Sequence, residues 1–142
     1  MLKTISPLLS PDLLHALAAM GHGDEVAIVD ANFPAAALAQ RLVTAPGINT
    51  PAMMAAILSL LPVDDFIPEP GWSMEIVGDA NASLPVIDEI RTTLAQHDAR
   101  SLAALERHAF YQRAKTAFLI VQTGETRKYG NVLLKKGVIA SE

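Results

Sequence analysis

Glu25-Val26-Ala27-Ile28-Val29 is a short, largely apolar run closed by Asp30. Apolar side chains at successive positions leave no wet face, which is the pattern of a strand buried on both sides. Such a strand needs helices over both surfaces of its sheet, and the flanking sequence offers them. Upstream, Ser10-Pro11-Asp12 reads as an N-cap, a proline at N1 and an acidic first turn. Leu13, Leu14, Leu17 and Ala18 follow at helical spacing, and Gly21 is expected to stop the helix. Downstream, Phe33-Pro34 opens a short helix running to Gln40, and Arg41-Leu42-Val43 reads as a second strand.

The pattern continues to the end of the chain. Thr50-Pro51 repeats the cap-plus-proline signature and predicts a helix to about Leu61. The stretch from Pro62 to Gly71, rich in proline and acid, reads as loop. Trp72 to Val77 suggests a strand, and Pro85 to Gln96 a helix with Val86, Ile90 and Leu94 on one face. A further helix covers Arg107 to Lys115. Ala117 to Val121 and Val132 to Leu134 are apolar strands separated by a turn around Gly124. Helices alternating with short strands place the chain in the α/β class as one domain over residues 1–142. The order of the strands is not legible from this pattern.

Composition narrows the function. The 142 residues are 51% hydrophobic and 18% charged, too apolar for a disordered chain. Pro and Gly interrupt the apolar runs before any reaches the ~18 residues of a membrane span, and Pro7, Pro11 and Asp12 break any secretory leader pattern. A cytoplasmic protein is expected. Zero Cys excludes disulfides, thiolate metal sites and a Cys nucleophile. No two His residues stand at i, i+4, and no phosphate-binding, dinucleotide or serine-elbow motif occurs, so neither metal nor cofactor is expected. The apolar fraction exceeds what so short a chain buries easily, which points to an oligomer. Residues 1–100 carry −8 and residues 101–142 carry +4. The basic residues of the last third form no dense run, so a solvated or inter-subunit face is expected rather than nucleic-acid binding.

Four places offer chemistry. In Gly21-His22-Gly23, an imidazole stands between two small neighbours. It is the side chain suited to reversible proton transfer near neutral pH, and equally it fits an incidental loop residue beside a helix cap. Asp30, at the end of a buried strand, sits where α/β sheets place ligand groups, and also where an N-cap for the next helix belongs. Tyr129-Gly130-Asn131 combines polyol-type donors and acceptors with a glycine that permits close approach, and it also reads as a simple turn. Arg107 opens a helix from which it reaches either a ligand oxygen or solvent, whereas His15 and His97 lie within helix patterns and read as surface residues.

Together these segments resemble the D-ribose pyranase / L-fucose mutarotase family (RbsD/FucU). The resemblance begins at Met1 to Pro11 and continues through Met20-Gly21-His22-Gly23-Asp24-Glu25, Asp30-Ala31-Asn32-Phe33-Pro34 and Ala109 to Ala114. It ends with Thr123-Gly124-Glu125 and Lys128 to Val138, while Ile48 to Ala104 matches only loosely. It implies a small three-layer domain, a sheet flanked by helices, assembled into a ring-like oligomer, commonly a decamer, with sites near subunit contacts. It also implies an isomerase that interconverts sugar anomers without a cofactor. His22 matches the family's catalytic proton donor, and Asp30, Arg107, Tyr129, Gly130 and Asn131 fall on its sugar-binding positions. Arg107, Ala109-Phe110-Tyr111 and Gly130 resemble the fucose-type branch, from which Asn32 departs because members there often carry His. The expectation is a mutarotase acting on L-fucose. The alternatives are D-ribose pyranase activity, or a non-catalytic sugar-binding or regulatory subunit.

Overall fold

The computed structural model describes residues 1–141. Among them, six strands form one sheet in the order β2-β5-β1-β6-β3-β4. The strands are β1 (Glu25–Val29), β2 (Leu42–Ala45), β3 (Gly71–Met74), β4 (Ala103–Leu105), β5 (Leu119–Thr123) and β6 (Val132–Lys135). The helices are α1 (Pro11–Ala19), α2 (Ala35–Leu38), α3 (Thr50–Leu58), α4 (Pro85–Ala95) and α5 (Arg107–Thr116).

The run expected to be a doubly buried strand is central. β1 pairs in parallel with β5, Val26 opposite Leu119, and antiparallel with β6, Val26 opposite Leu134. Its side chains alternate between two cores. Val26 and Ile28 join Leu13, Met53, Ile57, Ile90 and Leu134 beneath α1, α3 and α4. Ala27 and Val29 join Trp72, Phe110, Ala114 and Leu133 beneath α2 and α5. Both faces are covered, which is why this strand could dispense with polar residues.

Several boundaries differ from the sequence reading. α1 starts as expected, with the Ser10 side chain accepting from the Leu13 N–H at 3.2 Å, but it ends at Ala19 with an extended Met20. The left-handed residue of that turn is Gly23, at φ 86°, not Gly21. α3 is capped by Asn49, which accepts from Ala52 N–H at 2.9 Å. Thr50 turns its hydroxyl into the core, and the helix stops at Leu58 rather than Leu61. The strand expected from Trp72 to Val77 is the shorter β3, those expected from Arg41 and Ala117 begin at Leu42 and Leu119, and β4 was not expected at all.

Strand direction positions everything that follows. β6 alone runs against the rest, since it is antiparallel to both β1 and β3, while β5, β2 and β4 run parallel to their partners. The carboxyl ends of β1, β3, β4 and β5 therefore meet the amino end of β6 at one edge. The amino end of β1 and the carboxyl end of β6 meet at the opposite edge.

Candidate functional site

The carboxyl edge gathers four of the six expected site residues. Asp30 follows β1, Arg107 opens α5 just after β4, and Tyr129 and Asn131 precede β6. With Asn32, Phe33, Met74, Tyr111 and Lys128 they line a cavity of about 360 Å³. Asp30 is buried and tied into the frame: its N–H donates to Asn131 Oδ1 at 2.9 Å, and its Oδ1 accepts from Asn32 N–H at 2.9 Å. Burial pushes its carboxyl above the ordinary value, aided by the nearby Glu125 charge and opposed by hydrogen bonds from Asn32, Asn131 and Phe33. Arg107 is exposed, its Nε donating to Tyr111 Oη at 3.1 Å, and Glu106 caps the helix beneath it through His108 and Ala109 N–H. Its remaining donors stay available at the cavity.

Tyr129 carries strain. At φ 66° it occupies the left-handed region, which costs a non-glycine residue about 1 kcal/mol. Its Oη accepts from Val77 N–H at 3.1 Å, so the ring is held at both ends. Gly130 does not reach the cavity. It lies beneath the turn, where its carbonyl accepts from Thr50 Oγ1 at 2.7 Å. A Cβ there would stand 2.6 Å from Glu125 Cγ. The close approach that this glycine permits is to Glu125, not to a ligand.

Glu125 is the foundation of the turn and was assigned no role from sequence. Buried, it accepts from Thr50 N–H at 3.3 Å, Arg127 N–H at 3.1 Å and the Arg127 guanidinium at 2.9 and 3.0 Å. Those Arg127 hydrogen bonds hold its carboxyl below the ordinary range against the cost of burial. Gly130→Ala is expected to drive a methyl into this carboxylate's stem and to lower stability by about 1–3 kcal/mol, read from the denaturant midpoint.

His22 lies elsewhere. It precedes β1 and Asp30 follows it, so the two stand at opposite edges of the sheet, separated by about 17 Å of strand. Its turn is pinned by Gly23 N–H to Lys136 O at 2.8 Å and by Gly21 N–H to Asp24 Oδ2 at 2.7 Å. The imidazole, 45% exposed, lies 3.2 Å from the buried Asp64 Oδ1 and 4.9 Å from the Phe66 ring. It lines a second, apolar groove of about 580 Å³ with Leu2, Leu60, Val138 and Ile139. Those four and Phe66 are exposed large hydrophobics. Asp64 and Phe66 fall in the segment read only as loop. Tyr111 was detectable as a residue four positions after Arg107 on one helix, whereas nothing local marks Met74.

A mixed sheet with a polar cavity at its carboxyl edge, one buried carboxylate, one exposed guanidinium and flanking aromatic faces has the chemistry that suits small polyhydroxylated ligands. The chain belongs to the RbsD / FucU transport protein family, whose model matches residues 3–139. It is 46% identical to the human fucose mutarotase over 98% of this chain and 95% of that one. The fucose mutarotase of Streptococcus pneumoniae, solved in complex with L-fucose, superposes with TM-score 0.90 at 40% identity, covering 98% of this chain and 100% of that one. Bacillus subtilis RbsD, solved with D-ribose, is more distant at TM-score 0.76 and 20% identity, covering 99% and 100%, and shares the fold. Among the described residues no helix is long and apolar enough to cross a membrane.

Proposed function

We propose that the protein is a fucose mutarotase, an isomerase that interconverts the α and β anomers of L-fucose. The convergence of Asp30, Arg107, Tyr129 and Asn131 on one cavity, in a chain nearly half identical to a fucose mutarotase, carries this reading. A cyclic hemiacetal opens when a base takes the anomeric hydroxyl proton and an acid protonates the ring oxygen. The free aldehyde rotates about its bond to C2 and recloses on the other face, returning both protons. Asp30 and Asn131 suit ring hydroxyls as acceptor and donor, Arg107 reaches ring or hydroxyl oxygens, and Phe33 and Met74 offer apolar contact to a methyl group.

His22 is the proton donor in this proposal, and the cavity reaches it through a second copy of the chain. A single protomer keeps His22 across the sheet from Asp30, while the exposed Leu2, Leu60, Phe66, Val138 and Ile139 surround it with the apolar surface of an unfilled contact. Packing a neighbour's carboxyl edge onto that groove buries this surface and brings the partner subunit's His22 to the sugar. A closed ring of such contacts, a cytoplasmic decamer as in the resemblance above, repeats the arrangement for every subunit. The test is NMR exchange between the anomeric signals of L-fucose, D-ribose and D-galactose with and without protein. Faster exchange for L-fucose above the others is expected, and no acceleration for any sugar would leave only a sugar binder.

A further inference from the structure

We propose that Glu125 is the positioning residue of the sugar-facing turn: its carboxylate, clamped by Arg127, holds Tyr129 in the left-handed conformation and so keeps Tyr129 and Asn131 in the cavity wall. The proposal rests on the reading of this cavity as the fucose site, but its first readout is taken without sugar. Glu125 touches both halves of the cavity by separate means. Its backbone carbonyl accepts from Ala31 N–H at 2.9 Å and ties down the loop that carries Asp30. Its side chain serves the other half. The chain from Arg127 to Gly130 folds over the carboxylate, with the Arg127 N–H and guanidinium both donating to it and Gly130 packed against its stem. Thr50, at the start of α3, gives its N–H to the carboxylate and its hydroxyl to the Gly130 carbonyl, so helix, carboxylate and turn form one closed set of contacts.

Tyr129 lies inside that set at φ 66°. Left to itself, a tyrosine is biased against this region by about 5- to 30-fold, and such a residue persists only where its surroundings over-determine it. The bond from Val77 N–H to Tyr129 Oη fixes the tip of the ring and comes from an exposed residue, so it does not set the backbone. What sets the backbone is the pair of positions around it, Arg127 and Gly130, and both are held by Glu125. The grip needs an ionised carboxylate. Hydrogen bonds from Arg127 keep Glu125 below the ordinary range despite its burial, and Glu89 of α4 pairs with the same guanidinium from outside. Neither Glu125 nor Arg127 lines the cavity, so any effect of either on the sugar passes through the turn.

The consequence is a particular kinetic signature. Once the clamp is released, the turn spends most of its time out of the left-handed state, and apparent affinity falls by the fraction that remains competent. Sugar that does bind meets the native arrangement, so the chemical step keeps its rate and the loss appears in KM rather than kcat. The Ala31 contact is made by backbone and survives any substitution at position 125, which leaves the Asp30 half of the cavity in place.

Glu125→Gln and Arg127→Gln test this, each removing one side of the charge pair. Without sugar, backbone chemical shifts of Tyr129 are expected to report a left-handed residue in the wild type and to move toward right-handed or extended values in both variants. With L-fucose, the calorimetric dissociation constant and KM for anomer exchange are expected to rise about 5- to 30-fold, with kcat within about twofold. The double variant is expected to be no weaker than the weaker single one, because the two residues act as one clamp. Left-handed Tyr129 shifts or wild-type affinity in folded Glu125→Gln overturn the proposal. Should that protein not fold, the same results in Arg127→Gln, whose side chain is part-exposed, overturn it equally. A fall in kcat at unchanged KM, or fully additive losses in the double variant, also count against it. Wild-type protein that binds L-fucose without speeding anomer exchange sinks the mutarotase reading alone, and the shifts and dissociation constants still decide the role of Glu125.

Discussion

His22→Gln is expected to lower the rate of L-fucose anomer exchange by about 10²- to 10⁴-fold, the range that one positioned acid or base supplies. The chain should stay folded. His22 sits on an exposed turn held by backbone hydrogen bonds of Gly21 and Gly23, and the glutamine amide can still donate to Asp64. Asp30→Asn should also be inactive or nearly so, because it removes a buried acceptor from the cavity. The two lesions stand at opposite edges of the sheet, and this gives the stronger form of the prediction. If each site takes its cavity from one subunit and its imidazole from the next, mixed assemblies of the two inactive proteins regain activity. Random mixing in equal amounts leaves about a quarter of the contacts with both groups intact. Subunits unfolded together and reassembled should therefore recover roughly a quarter of wild-type exchange. Mixed assemblies as inactive as their parents would place both residues in the same subunit's chemistry, or remove one of them from it.

The relation between those two edges explains what was legible in the sequence and what was not. β1 could be read because burial on both faces leaves no polar position, and that signal is local. α1 and α3 announced their starts through proline and cap residues, although Thr50 is not the cap: its hydroxyl serves the Gly130 carbonyl from inside the core. β4 went unseen because Ala103-Ala104-Leu105 is only three residues long and pairs on one side alone, too short for any periodicity to show. His22, Asp30, Arg107 and the 129–131 turn were each named from residue type and motif. That the 129–131 turn joins Asp30 and Arg107 at the edge away from His22 depends on the reversal of β6, a property of pairing rather than of any segment. Asp64 and Glu125 were missed for a related reason. Each is a carboxylate whose partners, His22 and Thr50, lie 42 and 75 residues away in sequence. Phe110, part of the stretch that resembles the fucose-type branch, is fully buried and only supports Phe33 edge-on at 5.9 Å.

Substrate preference is expected to turn on Arg107. Its Nε is engaged by Tyr111 Oη, and the residue lines the cavity. A guanidinium offers five donors in a planar fork and stays charged, whereas imidazole offers at most two and titrates. A six-carbon deoxy sugar presents an additional carbon, a methyl group, beyond what a pentopyranose ring carries. Phe33, turned edge-on to Tyr111 at 5.2 Å, supplies an apolar face for that methyl. Wild-type protein should therefore exchange L-fucose anomers more efficiently than those of D-ribose. In Arg107→His the shorter side chain loses both the Tyr111 contact and the fork, so reach is lost along with donors. The ratio of kcat/KM for the two sugars should shift toward ribose by about 10- to 100-fold, the usual cost of one charge-assisted hydrogen bond. The fold should be untouched, because Arg107 is exposed within its own chain and Glu106, not Arg107, caps α5. A ratio that already favours ribose in the wild type, or that does not move in Arg107→His, would pass the selecting role to Asn32. That residue lines the same cavity two positions beyond Asp30 and differs from the fucose-type pattern.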